Sequence, residues 1–169
     1  MLPGHPHICL YQPEIPQNTG NIGRLSAATC SRLHLIRPFG FSADDRNLLR
    51  PGLDYWPYLD LEIHDNFSEF ATLYQPRRFA FFSKTADKLY TELTDEQDVL
   101  IFGQETKGLP GEFRHLYKDQ FYQIPIFHPH VRSLNLSNAC SVIVYSFLER
   151  LRRERKSGTM AATVFSPEH

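Results

Sequence analysis

The sequence is poor in cysteine and has no long hydrophobic run. Its 169 residues include three cysteines, Cys9, Cys30 and Cys140, which are far apart and fall in apolar surroundings. An odd number of scattered cysteines suits neither a disulfide framework nor a zinc site, so we expect buried free thiols in a reducing compartment. No stretch reaches the roughly 18 consecutive apolar residues of a membrane span, and the first ten residues lack the signal-peptide pattern. These absences predict a cytoplasmic protein that does not insert into membranes.

An excess of charge of one sign is also lacking. The formal net charge is −1, with 22% charged and 41% hydrophobic residues, which excludes a chain that is basic throughout and favours an ordinary globular fold. Nucleic acid would therefore have to bind a local patch, and ERLRRERK at 149–156 is such a cluster. A solvated helix end and a phosphate-binding surface explain this cluster equally well.

Several common catalytic and nucleotide-binding motifs are missing. There is no GxxxxGK[ST] phosphate loop and no GxGxxG after the first predicted strand, which disfavours P-loop NTPases and Rossmann dehydrogenases. No Ser-His-Asp or Cys-His arrangement stands out. His128 and His130 are possible metal ligands, but no third ligand has suitable spacing, so we expect loop histidines and no metal.

Short apolar runs alternate with helical patterns along the whole chain. Strands are predicted at 7–12, 33–38, 59–63, 78–83, 98–103 and 121–125. Helices are predicted from Asn18 or Thr19 to Arg32, over 66–74, and from about Ser137 to Lys156. This alternation predicts a single α/β domain at 1–156, with a mainly parallel sheet flanked by helices, and a flexible tail at 157–169.

The most polar loops follow predicted strands. They read QPEIPQNTG, SKTA, GQETKGLP and IFHPHVRSLNLSN, and are rich in Gly, Pro, Asn or hydroxyl residues. Ligands of open parallel sheets bind at the carboxyl ends of strands, so the site is predicted where these loops converge. The prolines of PEIPQN are expected to exclude helix there, and Gly103 and Gly108 suggest a tight turn or a close approach of backbone to a ligand. Arg24 either binds an anion or pairs with Glu14 or solvent.

Four segments of the sequence, taken in order, resemble the motifs of SPOUT-class RNA methyltransferases. They are YQPEIPQNTGNIGRL, GLDYW, FGQETKGLP, and IP followed by RSLNLSNA. Within that class they are similar to the TrmL (YibK-like) bacterial tRNA 2′-O-methyltransferases, over residues 7–153. The resemblance implies S-adenosylmethionine as methyl donor and, as acceptor, the wobble ribose 2′-hydroxyl (cytidine or modified uridine) in the anticodon arm of leucine tRNAs. It also implies a homodimer with active sites at the subunit interface and a deep trefoil knot in the carboxyl half, which general connection rules disfavour.

The resemblance also assigns the residues of a cofactor pocket. These are Phe81, Gly103, Ile124, Ser133, Leu134 and Asn138. Backbone groups of tight loops and apolar side chains are a suitable surface for adenine. The polar half of RSLNLSNACSVIVYSF would then line the methionine end of the cofactor and pass through the knot. Its apolar half, with Ser137 or Asn138 as helix cap, would pack in the core and the dimer interface.

Catalytic roles follow in the same way for Arg24, with Asn21, Glu105 and Asn135 as helpers. A protonated guanidinium has no acceptor, so we expect Arg24 to orient the target phosphate and stabilise the developing alkoxide instead of acting as a base. Glu105 has a second interpretation, in which it only holds its loop.

One segment departs from the family pattern. Between Pro125 and Ser133 the chain reads IFHPHVR, which is longer than the usual family loop and leaves its path open. Three alternatives to the main interpretation remain: a SPOUT enzyme for another tRNA or an rRNA site, a non-catalytic RNA- or S-adenosylmethionine-binding relative, and a flavodoxin-like nucleotide-binding module. The last rests on fold class alone and is disfavoured by the missing phosphate loop.

Overall fold

The computed structural model describes residues 5–41, 53–94 and 96–156, and its centre is a seven-stranded parallel sheet with the order β3-β2-β1-β6-β4-β7-β5. The strands are β1 (His7–Tyr11), β2 (Arg32–Ile36), β3 (Leu61–His64), β4 (Phe79–Phe82), β5 (Lys88–Leu89), β6 (Val99–Phe102) and β7 (Phe121–Gln123). The helices are α1 (Pro16–Ala28), α2 (Phe67–Thr72), α3 (Gly111–Leu116) and α4 (Leu136–Lys156). Short 3-10 helices occupy Leu53–Tyr58, Pro76–Arg78, Tyr90–Glu92 and Lys118–Gln120. The predicted α/β class and the mainly parallel sheet are confirmed.

The sheet separates two hydrophobic layers because successive side chains of a strand point to opposite faces. On one face, Ile8 and Leu10 of β1 and Leu100 of β6 pack with Ile22 of α1 and Ile143 of α4. The other face carries an aromatic cluster built from the strands, α2, α3 and the residues after α3. Its rings are those of Phe67, Phe70, Phe79, Phe81, Phe113, Tyr117 and Phe121.

The first helix begins earlier and ends sooner than predicted. Pro16 is its first residue, although the prolines of PEIPQN were expected to exclude helix. Proline is tolerated there because the first N–H groups of a helix have no intrahelical acceptor. The helix ends at Ala28, before the predicted Arg32, and Cys30 takes a positive φ of 52°. Cys30 is also exposed, so the prediction of three buried thiols is wrong at this position.

The cap of the last helix also differs from the prediction. Oδ1 of Asn135 accepts hydrogen bonds from the backbone N–H and the hydroxyl of Ser137, so Asn135 provides the cap in place of Ser137 or Asn138. Within α4, Ile143 and Phe147 are buried and Val142 and Tyr145 are 40% and 57% exposed. One side of this helix therefore faces outward in the single chain.

A row of three histidines crosses β1, β2 and β3. Nδ1 of His7 lies 3.0 Å from Nε2 of His34, and Nδ1 of His34 lies 3.0 Å from Nε2 of His64. The Tyr74 hydroxyl lies within 3.2 Å of the first two rings. Burial lowers the pKa of His7 to about 4, and burial together with the neighbouring histidines lowers that of His34 to about 2. Oε2 of Glu62 lies 3.6 Å from His34 Nδ1, so ligand atoms of His34, Glu62 and His64 all lie within 4.8 Å of one another.

The basic cluster at 149–156 is partly used within the chain. Arg150 is held by backbone oxygens of a preceding loop, and Arg152 and Arg153 lie within ion-pair distance of Glu149. These contacts favour the solvated helix end over a dedicated phosphate site for the part of the cluster that the structure describes.

Two predicted features fall outside what the structure describes. The tail at 157–169 is not among the described residues, and neither is Gly52, the first residue of GLDYW. Among the helices that are described, none has the length and hydrophobicity required to cross a bilayer.

Candidate active site

A cavity of about 600 Å³ opens where β4, β6 and β7 end. Its walls are the loops that follow these three strands, together with the amino ends of α1 and α4. The volume is within the usual range for a small-molecule site, and the position at strand carboxyl ends is the one predicted.

The loop after β6 folds back tightly on itself. The N–H of Gln104 donates to the carbonyl of Gly108 at 3.1 Å, and the N–H of Gly108 donates to the carbonyl of Gln104 at 2.9 Å. Gly108 has a φ of +71°, which favours glycine. A Cβ on Gly103 would lie 2.3 Å from the carbonyl carbon of Gly108 and 2.5 Å from the nitrogen of Leu109. Only glycine at 103 therefore allows this loop to close.

The carboxylate of Glu105 fastens this loop to α1. Its two oxygens accept hydrogen bonds from the backbone N–H groups of Glu14 at 2.8 Å and Ile15 at 3.3 Å. The carboxylate thus satisfies the N–H groups of the two residues that precede α1, next to the positively polarised end of the helix.

Asn18 connects three segments that are distant in the sequence. Its Nδ2 donates to Oε1 of Glu105 at 3.0 Å, and its Oδ1 accepts from Nδ2 of Asn135 at 2.9 Å. Asn135 in turn caps α4 through Ser137. The buried amide of Asn18 thus sets the spacing between α1, the 103–111 loop and the start of α4.

A second contact closes the same junction from the solvent side. Both the N–H and the hydroxyl of Thr106 donate to the carboxylate of Glu14 at 2.8 Å. The hydrogen bond from the Thr106 amide lowers the pKa of Glu14. Glu14 is therefore not the partner of Arg24 that the sequence offered as an alternative.

Arg24 lies on α1, outside the set of residues that line the cavity. Its Nη2 donates to Oδ1 of Asp54 at 2.8 Å, and its guanidinium carbon lies 4.8 Å from the ring centre of Tyr55. The hydroxyl of Tyr55 donates to the carbonyl of Gly20 at 2.9 Å, which fixes the ring against α1. The side chain of Arg24 remains 44% exposed, so it is oriented but accessible.

Comparison with known proteins shows the family of this chain. The model of the SpoU rRNA methylase family matches residues 5–145. The chain belongs to this family. A relative from Methylovorus glucosotrophus named tRNA (cytidine(34)-2'-O)-methyltransferase is 46% identical over 140 residues, covering 82% of this chain and 90% of the relative. The predicted resemblance to SPOUT-class RNA methyltransferases is therefore confirmed.

Solved structures extend the likeness to the fold. One, from work on the 2-OH methylation of C/U34 on tRNA, is 44% identical with a TM-score of 0.78 and covers 87% of this chain and 96% of its own. Another, the SpoU methyltransferase AviRb from Streptomyces viridochromogenes in complex with the cofactor AdoMet, has a TM-score of 0.76 at 22% identity, covering 88% and 58%. The second shows a shared fold alone.

The cofactor residues assigned from the SpoU-family resemblance divide into two groups. Gly103, Ile124, Ser133 and Leu134 line the cavity, whereas Phe81 and Asn138 do not. Phe81 points into the aromatic cluster on the opposite face of the sheet and is fully buried. The adjacent Phe82 lines the cavity instead, as the alternation of a strand requires.

The four residues assigned to catalysis are divided in the same way. Glu105 and Asn135 line the cavity, and Arg24 and the exposed Asn21 lie on α1 outside it. The contacts of Glu105 correspond to its second interpretation, in which it holds its loop.

Sequence reasoning missed Asn18 as a site residue. It was considered only as a helix cap, because the helix was expected to start there. Once Pro16 is recognised as the first helical residue, Asn18 lies in the first turn, with its side chain towards the cavity. The signal that was available is the proline itself, which is favoured at the first position of a helix.

Proposed function

We propose that the protein is a tRNA 2′-O-methyltransferase. It transfers a methyl group from S-adenosylmethionine to the ribose 2′-hydroxyl of the wobble nucleotide, a cytidine or modified uridine, of leucine tRNAs. The observation that supports this most directly is a cavity built from SpoU-family motifs in a chain that is 46% identical to a relative named for this activity.

The residues of the cavity suit this cofactor. The missing side chain of Gly103 brings loop backbone to the cavity wall, while Ile124 and Leu134 supply apolar surface and Ser133 a hydroxyl. We propose that these four residues hold the cofactor. It supplies a methyl group already activated by a positively charged sulfur, so the protein's task is mainly alignment, and no metal ion is required.

Arg24 is proposed to act on the RNA and not on the cofactor. It is exposed, outside the cavity, and held by Asp54 and Tyr55 with its guanidinium plane over a ring. The planar fork of guanidinium donors, oriented in this way, suits a phosphate oxygen and the developing alkoxide. Asn21, which precedes Arg24 on α1 by about one helical turn, is proposed to assist Arg24. Asn135 is proposed to orient the loop at the cavity.

A homodimer would bring the cofactor cavity of one subunit close to the RNA-contacting arginine of the other. We propose that Arg24 of one subunit serves the cavity of its partner, because in the single chain Arg24 does not line the cavity. The exposed Val142 and Tyr145 of α4 offer apolar surface for such an interface. The knot and Asn138 as a cofactor contact stay predictions of the resemblance, and the cytoplasmic location stays a prediction of the sequence composition.

The test is methylation of unmodified bulk tRNA with labelled cofactor, followed by mapping of the modified nucleoside. We expect the label at position 34 of leucine tRNAs, and a matched transcript with a 2′-deoxyribose at 34 should accept none. Label in rRNA with none in tRNA would reject the proposal in favour of the rRNA alternative. Binding of the cofactor without transfer to any RNA would favour the non-catalytic relative.

A further inference from the structure

The segment that joins β7 to α4 carries an exposed aromatic residue beside the cavity. Its two ends line the cavity, through Ile124 and Ile126 before the exposed part and Ser133 and Leu134 after it. Between them the chain projects outward, and the ring of Phe127 is 92% exposed. Among the large hydrophobic residues that the structure describes as exposed, this is the most exposed of all.

Internal hydrogen bonds hold the projecting part in a turn. The N–H of His130 donates to Nδ1 of His128 at 3.2 Å, and the N–H of Val131 donates to the carbonyl of His128 at 3.1 Å. Because Nδ1 of His128 accepts, the neutral ring carries its proton on Nε2. The two imidazole centres are 5.6 Å apart and their planes are inclined by 57°. The turn therefore presents aromatic faces and a ring N–H donor together.

We propose that Phe127 is a stacking platform for an unpaired nucleobase of the RNA substrate, with Nε2–H of His128 donating to the base and Arg132 contacting a neighbouring phosphate. This inference rests on the proposed function. Proteins read single-stranded RNA loops by stacking splayed bases on aromatic rings and hydrogen-bonding their edges. The position beside the cavity puts such a base next to the nucleotide whose ribose is methylated.

The surroundings of Phe127 favour a nucleobase over an apolar protein partner. A protein-docking patch requires a broad contiguous apolar surface, whereas the exposed neighbours here are two histidines, a proline and an arginine, alongside Val131 and Leu134, which are 47% and 39% exposed. A single flat ring with donors and a cation at its rim matches one base and its phosphate.

The test compares three substitutions at one position. Unmodified anticodon stem-loop RNA is titrated against the full chain and against Phe127→Ala, Phe127→Leu and Phe127→Trp. We expect the alanine and leucine variants to bind about ten-fold or more weakly and the tryptophan variant to bind like the wild type, because stacking requires a π face. Leu116→Ala, which removes another apolar side chain that is 71% exposed, is the matched control and should change nothing.

Salt dependence distinguishes the two kinds of contact. Phe127→Ala should lower RNA affinity without changing the slope of log affinity against log salt, and Arg132→Ala should reduce that slope by about 1. In steady-state methylation, Phe127→Ala should raise KM for RNA and leave kcat at saturating RNA and the affinity for the cofactor unchanged.

Three results would overturn the inference. They are full RNA affinity in Phe127→Leu, unchanged affinity in Phe127→Ala, and a shift in sedimentation of Phe127→Ala that shows the ring to lie between two copies of the chain. Failure of the proposed function has a different signature, since the wild type would then methylate no tRNA. A wild type that methylates tRNA beside an unaffected Phe127→Ala variant rejects the platform alone.

Discussion

Asn18 and Glu105 are separated by 87 positions in the sequence, yet Nδ2 of Asn18 lies 3.0 Å from Oε1 of Glu105. The amide is buried and makes a second hydrogen bond, to Asn135. The side chain thereby fixes two walls of the cavity relative to each other. We propose a positioning role for Asn18, exerted through the spacing of these walls.

Asn18→Ala should weaken cofactor binding about ten-fold and lower the free energy of unfolding by roughly 1–3 kcal/mol, because Glu105 and Asn135 lose a buried partner. Asn18→Asp should be at least as harmful, since it puts a second carboxylate against that of Glu105. Calorimetric titration with the cofactor and urea unfolding measure both effects. Gln17→Ala, an exposed neighbour on the same helix, is the control. Normal cofactor affinity in Asn18→Asp would show that the network does not shape the cavity.

Gly103→Ala should abolish measurable cofactor binding or weaken it by more than about ten-fold. The added Cβ would meet backbone atoms of Gly108 and Leu109, neither of which is a flexible side chain that can move aside. Gly111→Ala, at the first residue of α3, is a matched control, because a Cβ there meets nothing within 4 Å. Equal cofactor affinities for the two variants, measured by titration, would contradict the tight turn.

Arg24→Ala should reduce methyl transfer by about 10²-fold or more while the dissociation constant of the cofactor stays unchanged, because Arg24 lies outside the cavity and is proposed to stabilise charge on the RNA. Arg24→Lys should recover little, since an ammonium lacks the planar fork of donors. Single-turnover rates and cofactor titrations give the two quantities. The exposed Arg77, at the amino end of β4, provides a control for lost charge through Arg77→Ala. Full transfer by Arg24→Ala would remove it from the mechanism.

Stability should fall as the pH is lowered below about 6.5. Burial chiefly lowers the pKa of His7 to about 4 and that of His34 to about 2. In the unfolded chain the pKa of a histidine is about 6.5, so below that pH the unfolded chain binds more protons than the folded one. The contribution of the two neutral histidines to the free energy of unfolding is fully present above about pH 6.5. On acidification it falls by up to about 1.4 kcal/mol per pH unit for each histidine.

Urea unfolding at pH 7 and pH 5 measures this loss. Neighbouring charges also affect the pKa of His7: Asp98 raises it, and Arg78 and Arg32 lower it. His7→Asn keeps a polar group at the end of the row and should flatten the pH dependence. An equal pH dependence in this variant and the wild type would assign the effect to other groups.

The sequence predicted strands well where they are fully buried. The runs FAFF and VLIF are β4 and β6 within one residue, since continuous apolar runs are typical of central parallel strands. The two-residue β5 was missed because Lys88 and Leu89 have no such pattern. Element ends were less predictable: α1 begins at Pro16 without a side-chain cap, and the start of α4 depends on Asn135, whose side chain reaches the N–H of Ser137.

The position of the site in the fold was predictable, but the directions of individual side chains were not. Motif resemblance located Gly103, Ile124, Ser133 and Leu134, all of which line the cavity. Phe81 shows the limit, since a shift of one position along a strand moves a side chain to the opposite face. The hydrogen bonds of Asn18 join residues distant in the chain, and a single sequence does not reveal such pairs.

The strand order also determines when the protein can fold during its synthesis. β1 emerges first from the ribosome but pairs with β6 as well as β2, so one edge of this strand stays open until residues 99–102 have been made. Open strand edges are templates for pairing with other chains, so we expect a nascent chain at this stage to be prone to aggregation. The cavity is lined by residues from both ends of the fold, including Ile15 and Ala139. A translation product that stops before α4 therefore lacks part of the cavity wall, and we expect it to be inactive.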